Sequence, residues 1–131
     1  HGACNYPTQK MRSTFDVGLP DGTGAAAYLA VLEQALASAL ASFEPDVVLY
    51  LAGVDPAAGD RYGRLALTPD GLRRRDRYVV GTLRDRGLPV VLLLAGGYAA
   101  SAARTAELHA NTFHEAAAIE AAAATGQRAR A

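Results

Sequence analysis

Two short stretches end an apolar run in a side chain with chemical capacity. In VVLYLAGVD the series closes on Asp55, and in VVLLLAGGY it closes on Tyr98. A carboxylate at such a place can ligate a hard or borderline cation: Zn²⁺ takes a carboxylate oxygen at roughly 2.0–2.2 Å, and a strand end holds the ligand more firmly than a loop does. A tyrosine hydroxyl can donate a hydrogen bond to a developing oxyanion, and the Gly96-Gly97 pair before it lets the backbone turn sharply and approach a ligand. Each residue also has a plainer reading. Asp55 beside Pro56 suits a turn or a helix cap, and Tyr98 suits cover for a sheet edge. Gly96-Gly97 ahead of a helix could cradle a phosphate, although the third glycine of a dinucleotide fingerprint is missing. Asp60, within Gly59-Asp60-Arg61, reads as a loop organiser that accepts hydrogen bonds from backbone amides or pairs with Arg61. His109 and His114 lack the i, i+4 spacing of a helical zinc pair, so one is expected to pack and the other to be solvated. Arg73, Arg74, Arg75 and Arg77 read as a solvated helix face, with contact to an acidic surface as the alternative.

The elements that must position these residues follow from periodicity. His1 to Gly24 is rich in Gly, Pro, Asp, Asn and Thr without a sustained period, which predicts a long ordered loop with a turn at Asp21-Gly22. From Ala25 to Phe43, Leu29, Leu32, Leu36, Leu40 and Phe43 recur at helical spacing and share one face, and Pro45 closes that helix. Val47 to Leu51 is a continuous apolar run, short and rich in β-branched residues, as for a strand covered on both faces. Thr68-Pro69-Asp70 opens a second helix with a cap, a first-turn proline and a first-turn acid; its face is Leu72, Val79, Val80 and Leu83, and it ends near Gly87. After Pro89 comes a second apolar strand, Val90 to Leu94, then an alanine-rich helix from about Ser101 to Ala124. A frayed tail is expected over 121–131, after a domain at 1–120. Alternation of this kind predicts an α/β fold, a parallel sheet with flanking helices. Ligands then bind beyond the carboxyl ends of the strands, where Asp55 and Tyr98 stand.

Composition narrows the partners. The chain has 131 residues, 13 basic and 13 acidic side chains and a net charge of zero, with no long block of one sign. No nucleic-acid or anionic-membrane footprint is visible. A lone Cys4 excludes an internal disulfide framework and a multi-cysteine metal site, in keeping with a reducing, cytoplasmic setting. No apolar run approaches the roughly 18 residues that span a bilayer, and the first residues lack the order of a signal peptide, so no membrane partner is expected. The chain begins at His1, and its single methionine, Met11, lies inside a loop-like stretch, as in a fragment cut from a longer protein.

Taken together, HGACNYP, DVGLPDGTG, GVDPAAGDRYGRLALTPDGLRRRD, PVVLLLAGGY and ELHANTF resemble the C-terminal half of a zinc-dependent histone deacetylase domain, in its bacterial and class IV-like form, over residues 1 to about 115. The ordered set Gly-Val-Asp, Gly-Asp-Arg-x-Gly and Gly-Gly-Tyr carries the specificity. The resemblance implies the arginase/deacetylase-like three-layer α/β fold with only its C-terminal portion present. It makes Asp55 a zinc ligand, Tyr98 the residue that polarises the acetyl carbonyl, and Gly96 and Gly97 the pocket wall. It also implies zinc as cofactor and an acetyl-lysine, an acetylpolyamine or another small acetylated amine as substrate. Two departures stand out. Ala95 occupies a position where many relatives carry a further glycine. The family's tandem histidines and its Asp-x-His pair fall upstream of the stretch matching His1, and neither pattern occurs in this chain. Asp55 is left as the only matching zinc ligand, so the activity is expected of a full-length parent and not of the fragment. Missing strands would bare a sheet edge and an apolar face, which predicts self-association. Two other functions stay open: a non-catalytic Rossmann-like module binding a nucleotide or phosphate at Gly96-Gly97, and a genuine short product that docks on another chain.

Overall fold

The computed structural model describes residues 1–5, 7 and 9–128; Tyr6, Thr8 and residues 129–131 lie outside it. Its elements follow the predicted alternation: α1 Ala25–Ser42, β1 Val48–Leu51, α2 Pro69–Asp85, β2 Val90–Leu93 and α3 Ala102–Arg128. β1 and β2 pair in parallel, Val48 opposite Val90 through Leu51 opposite Leu93. The two copies of the sequence echo therefore lie side by side, and the segments that follow them leave the same end of the sheet.

α2 is the best-specified element. The Thr68 side chain accepts from the Gly71 amide at 3.0 Å, with Pro69 in the first turn, which satisfies a donor that the helix cannot. At the other end Gly87 adopts φ 70°, and Leu88 N donates to Leu83 O at 3.0 Å while Gly87 N donates to Arg84 O at 2.9 Å. This is a Schellman closure, and its left-handed position favours glycine. The predicted face, Leu72, Val79, Val80 and Leu83, is buried. α2 packs against α3, against α1 and on β2.

The strands lack the cover on both faces that their apolar runs predict, and an apolar face is bare, as expected from the resemblance to part of a larger domain. Burial alternates along each strand, and Leu49, Leu51, Val91 and Leu93 are exposed, so among the described residues helices cover one face and nothing covers the other. The face predicted for α1 shows the same contrast: Leu29 is buried, whereas Phe43, just past the end of the helix, is 69 % exposed. By length and composition α1 is also apolar enough to cross a membrane. The sequence expectation missed this because alanines raise the mean hydropathy around Glu33 and Gln34 without forming an unbroken apolar run. α3 extends to Arg128, into the expected 121–131 tail, whose last residues, 129–131, lie outside the described ones.

The buried cluster lies at the strand ends: Leu19, Val54, Ala57, Leu65, Leu67, Leu72 and Leu108. The N-terminal loop is stitched to it, Gly22 N donating to Arg64 O at 2.7 Å and Ala66 N to Thr23 O at 3.0 Å.

Candidate functional site

Pairing between the two chain segments continues past the strands. Ala52 N donates to Leu93 O at 2.9 Å and Val54 N to Gly96 O at 2.6 Å, so the backbone is held up to the residue before Asp55. The carboxylate then nests against glycine backbone. A Cβ on Gly53 would stand 2.6 Å from Asp55 Oδ1, and one on Gly96 would stand 3.0 Å from it. Only residues without side chains leave that space open.

Tyr98 is clasped from the β1–α2 loop. Asp60 Oδ2 accepts from Tyr98 N at 2.6 Å, while Oδ1 accepts from the amides of Tyr62 at 2.9 Å and Gly63 at 2.7 Å. Arg61 donates to Tyr98 O from its amide at 3.1 Å and from Nε at 3.4 Å, and the Tyr62 ring meets Tyr98 edge to face at 4.9 Å. Asp60 is thus the loop organiser read from the sequence, and what it organises is the backbone of Tyr98.

Asp55, Gly96 and Tyr98 come together on one open cavity of about 750 Å³, joined there by Asn5, Tyr62 and Gly63. Gly97 turns away, onto a groove along α3 that it shares with His109 and Phe113, and a Cβ there would collide with Val54. α3 opens only at Ala102, with Ser101 Oγ accepting from Arg104 N at 3.2 Å. The glycine pair therefore does not run straight into a helix, as a phosphate-cradling turn would. His109 packs and His114 is exposed. Burial first, and the nearby Arg75 charge second, hold the His109 imidazole below its usual pKa.

The arginine cluster is not one solvated face. Arg75 is 4 % and Asp76 1 % exposed. Arg75 Nη1 donates to Gly53 O at 2.6 Å and Nε to Asp76 Oδ1 at 2.8 Å; the same carboxylate accepts from Tyr50 Oη at 2.6 Å and from Thr112 Oγ1 at 2.7 Å. Arg73 and Arg77 converge on buried Glu115 of α3 at 2.7 and 2.8 Å; only Arg74 remains exposed and unpaired among the described residues. The signal was in the spacing: Arg75 and Asp76 fall on the apolar stripe of Leu72, Val79, Val80 and Leu83, where a charged pair must be buried.

The model of the histone deacetylase domain family matches residues 2–113, across every element that builds the cavity. The chain belongs to the histone deacetylase family. It is 46% identical over 99 residues to an uncharacterized protein of Picosynechococcus, covering 76% of this chain and 33% of that protein. It is 41% identical over 88 residues to histone deacetylase 2 of Arabidopsis thaliana, covering 67% of this chain and 23% of the relative. Among solved structures the HD domain of HDA15 aligns with a TM-score of 0.55 at 24% identity, over 90% of this chain and 34% of that one. That likeness gives the fold, the arginase/deacetylase α/β architecture. The chain spans about a third or less of the length of these matched proteins.

Among the described residues no three His, Cys, Asp or Glu side chains converge on one point. Asp55 is the one acidic side chain on the cavity wall, able to serve as a single ligand. Asn5 and Tyr62 were not singled out from the sequence, and no periodic signal marks a loop residue that folds back over a strand end.

Proposed function

We propose that this chain is the C-terminal part of a zinc-dependent amidohydrolase that cleaves an N-acetyl amide, on acetyl-lysine, an acetylpolyamine or another small acetylated amine. One observation carries the reading: a strand-end carboxylate and a tyrosine from consecutive βα units face one cavity, within a segment that matches the deacetylase family throughout. Asp55 is assigned as one metal ligand, with the other ligands and the proton-carrying histidines supplied by residues outside 1–131. A zinc ion bound there would act as Lewis acid and lower the pKa of its water. Tyr98 donates its hydroxyl hydrogen to the acetyl oxygen as that oxygen gains charge. Because Asp60 and Arg61 hold the Tyr98 backbone on its amide and carbonyl sides, the donor is ordered before the reaction, which is what makes such a hydrogen bond effective. Gly96, lacking a side chain, leaves the space between the carboxylate and the substrate free.

The test uses the full-length protein, stripped of metal and titrated with zinc, and an acetyl-lysine peptide beside an acetylpolyamine. Deacetylation should rise with zinc and vanish in Asp55→Ala. Tyr98→Phe should lower kcat about 10²–10³-fold, the usual loss for one oxyanion donor, with the fold intact. Residues 1–131 alone should show no deacetylation. Activity indifferent to zinc, or undiminished in Tyr98→Phe, would overturn the proposal.

A further inference from the structure

We infer that Arg75 and Asp76 are positioning residues that hold the Gly53–Asp55 turn from behind. The inference rests on reading Asp55 as the working carboxylate of the cavity. Ala52 and Val54 donate toward β2, so by strand alternation the carbonyl of Gly53 between them turns away from that pairing. Gly53 is buried, and a buried carbonyl without a partner is destabilising. Arg75 Nη1 supplies the partner at 2.6 Å. On its other side the same residue lies so close to the carboxylate that it can carry no Cβ. One glycine thus transmits a contact made behind the sheet to a carboxylate in front of it.

The guanidinium that makes the contact is itself immobilised. Asp76 takes Arg75 Nε, the Tyr50 hydroxyl from β1 and the Thr112 hydroxyl from α3, and the Arg75 guanidinium carbon lies 5.9 Å from the Tyr50 ring centroid. Both covering helices and the strand are therefore referenced to one point, the Gly53 carbonyl. Stability is a poor reason for this arrangement. A buried ion pair seldom outperforms apolar residues of the same volume, and the stripe on either side of it, Leu72 and Val79, is already apolar. What an apolar pair could not do is donate to a carbonyl in a fixed direction.

The test compares Arg75→Ala, Arg75→Lys and Asp76→Asn with Glu115→Gln in the full-length protein. Glu115→Gln loosens the contact between α2 and α3 without touching Gly53. The first readout needs no activity: the amide resonances of Gly53 and Gly96 in glycine-labelled protein, taken well below each melting temperature. The second is kcat and KM on an acetyl-lysine peptide. Arg75→Ala should shift both glycine resonances and lower kcat about 10–100-fold with KM within about twofold. Arg75→Lys should recover part of each, since one ammonium can reach the carbonyl but cannot fork to Asp76. Glu115→Gln should lower the melting temperature and leave both readouts in place. The inference is overturned if Arg75→Ala and Asp76→Asn match Glu115→Gln in resonances and in kcat; Asp76→Asn, nearly isosteric, decides the matter if Arg75→Ala does not fold. A wild type with no deacetylase activity would remove the functional reading, while the glycine resonances would still decide the positioning.

Discussion

At the carboxyl ends of β1 and β2 the chain buries charge; on the open face of the same strands it exposes hydrocarbon. The first region holds Arg75, Asp76 and Thr112, each 4 % exposed or less, in a network that reaches backbone only glycine can supply at Gly53. The second presents Leu49 and Leu51 at 61 % and 64 % exposure, beside Val91 and Leu93. Burial thus does not follow hydrophobicity alone. Polar groups are withdrawn from water where they must hold one geometry, and apolar groups are left outside where an additional layer would be needed to cover them.

The contrast can be broken by removing partners at the charged end. Arg75→Ala or Asp76→Ala leaves an uncompensated buried charge and should cost about 3–5 kcal/mol in denaturant unfolding, whereas Leu49→Ala on the open face should stay within about 0.5 kcal/mol. Equal losses at the two places would erase the distinction. A smaller effect separates two glycines. Gly53→Ala places a methyl 2.6 Å from Asp55 Oδ1 and should cost about 1–3 kcal/mol by overpacking. Gly81→Ala, in the middle of α2 with open space around it, should instead stabilise by about 0.4–1 kcal/mol.

Acid should sharpen the comparison further. Burial alone would raise the pKa of Glu115, but the hydrogen bonds from Arg73 and Arg77 prevail and hold it below its ordinary value of 4.5. A folded-state pKa below the unfolded one contributes stability that is complete above about pH 4.5 and is lost as the pH falls through the folded value. Wild type should therefore lose stability in that range more steeply than Glu115→Gln, in melting curves recorded from pH 6 downward at about half-unit steps. The gentlest change is on the open face. We propose that this face pairs copies of the chain when residues 1–131 are expressed alone. Leu49→Lys with Leu93→Lys should then lower the sedimentation mass toward that of a monomer while unfolding shifts by only about 0.5 kcal/mol; an unchanged mass would count against the proposal.

Much of this was legible in the residues themselves. Period alone placed the elements, because a strand must alternate or run apolar and a helix must repeat near every third or fourth residue; Thr68-Pro69-Asp70 and Gly87 marked the ends of α2 through local backbone rules that need no tertiary partner. The ordered motifs around Asp55 and Tyr98 carried the family, since spacing along the chain survives without a structure. What the sequence could not decide depends on groups distant along it. The Arg75 guanidinium reaches the Gly53 carbonyl across 22 positions and Asp60 reaches the Tyr98 amide across 38; neither partner has a local pattern. The bare face of the sheet was likewise undecidable from the strands, because an apolar run states that cover is wanted and only the packed structure states whether the cover is there.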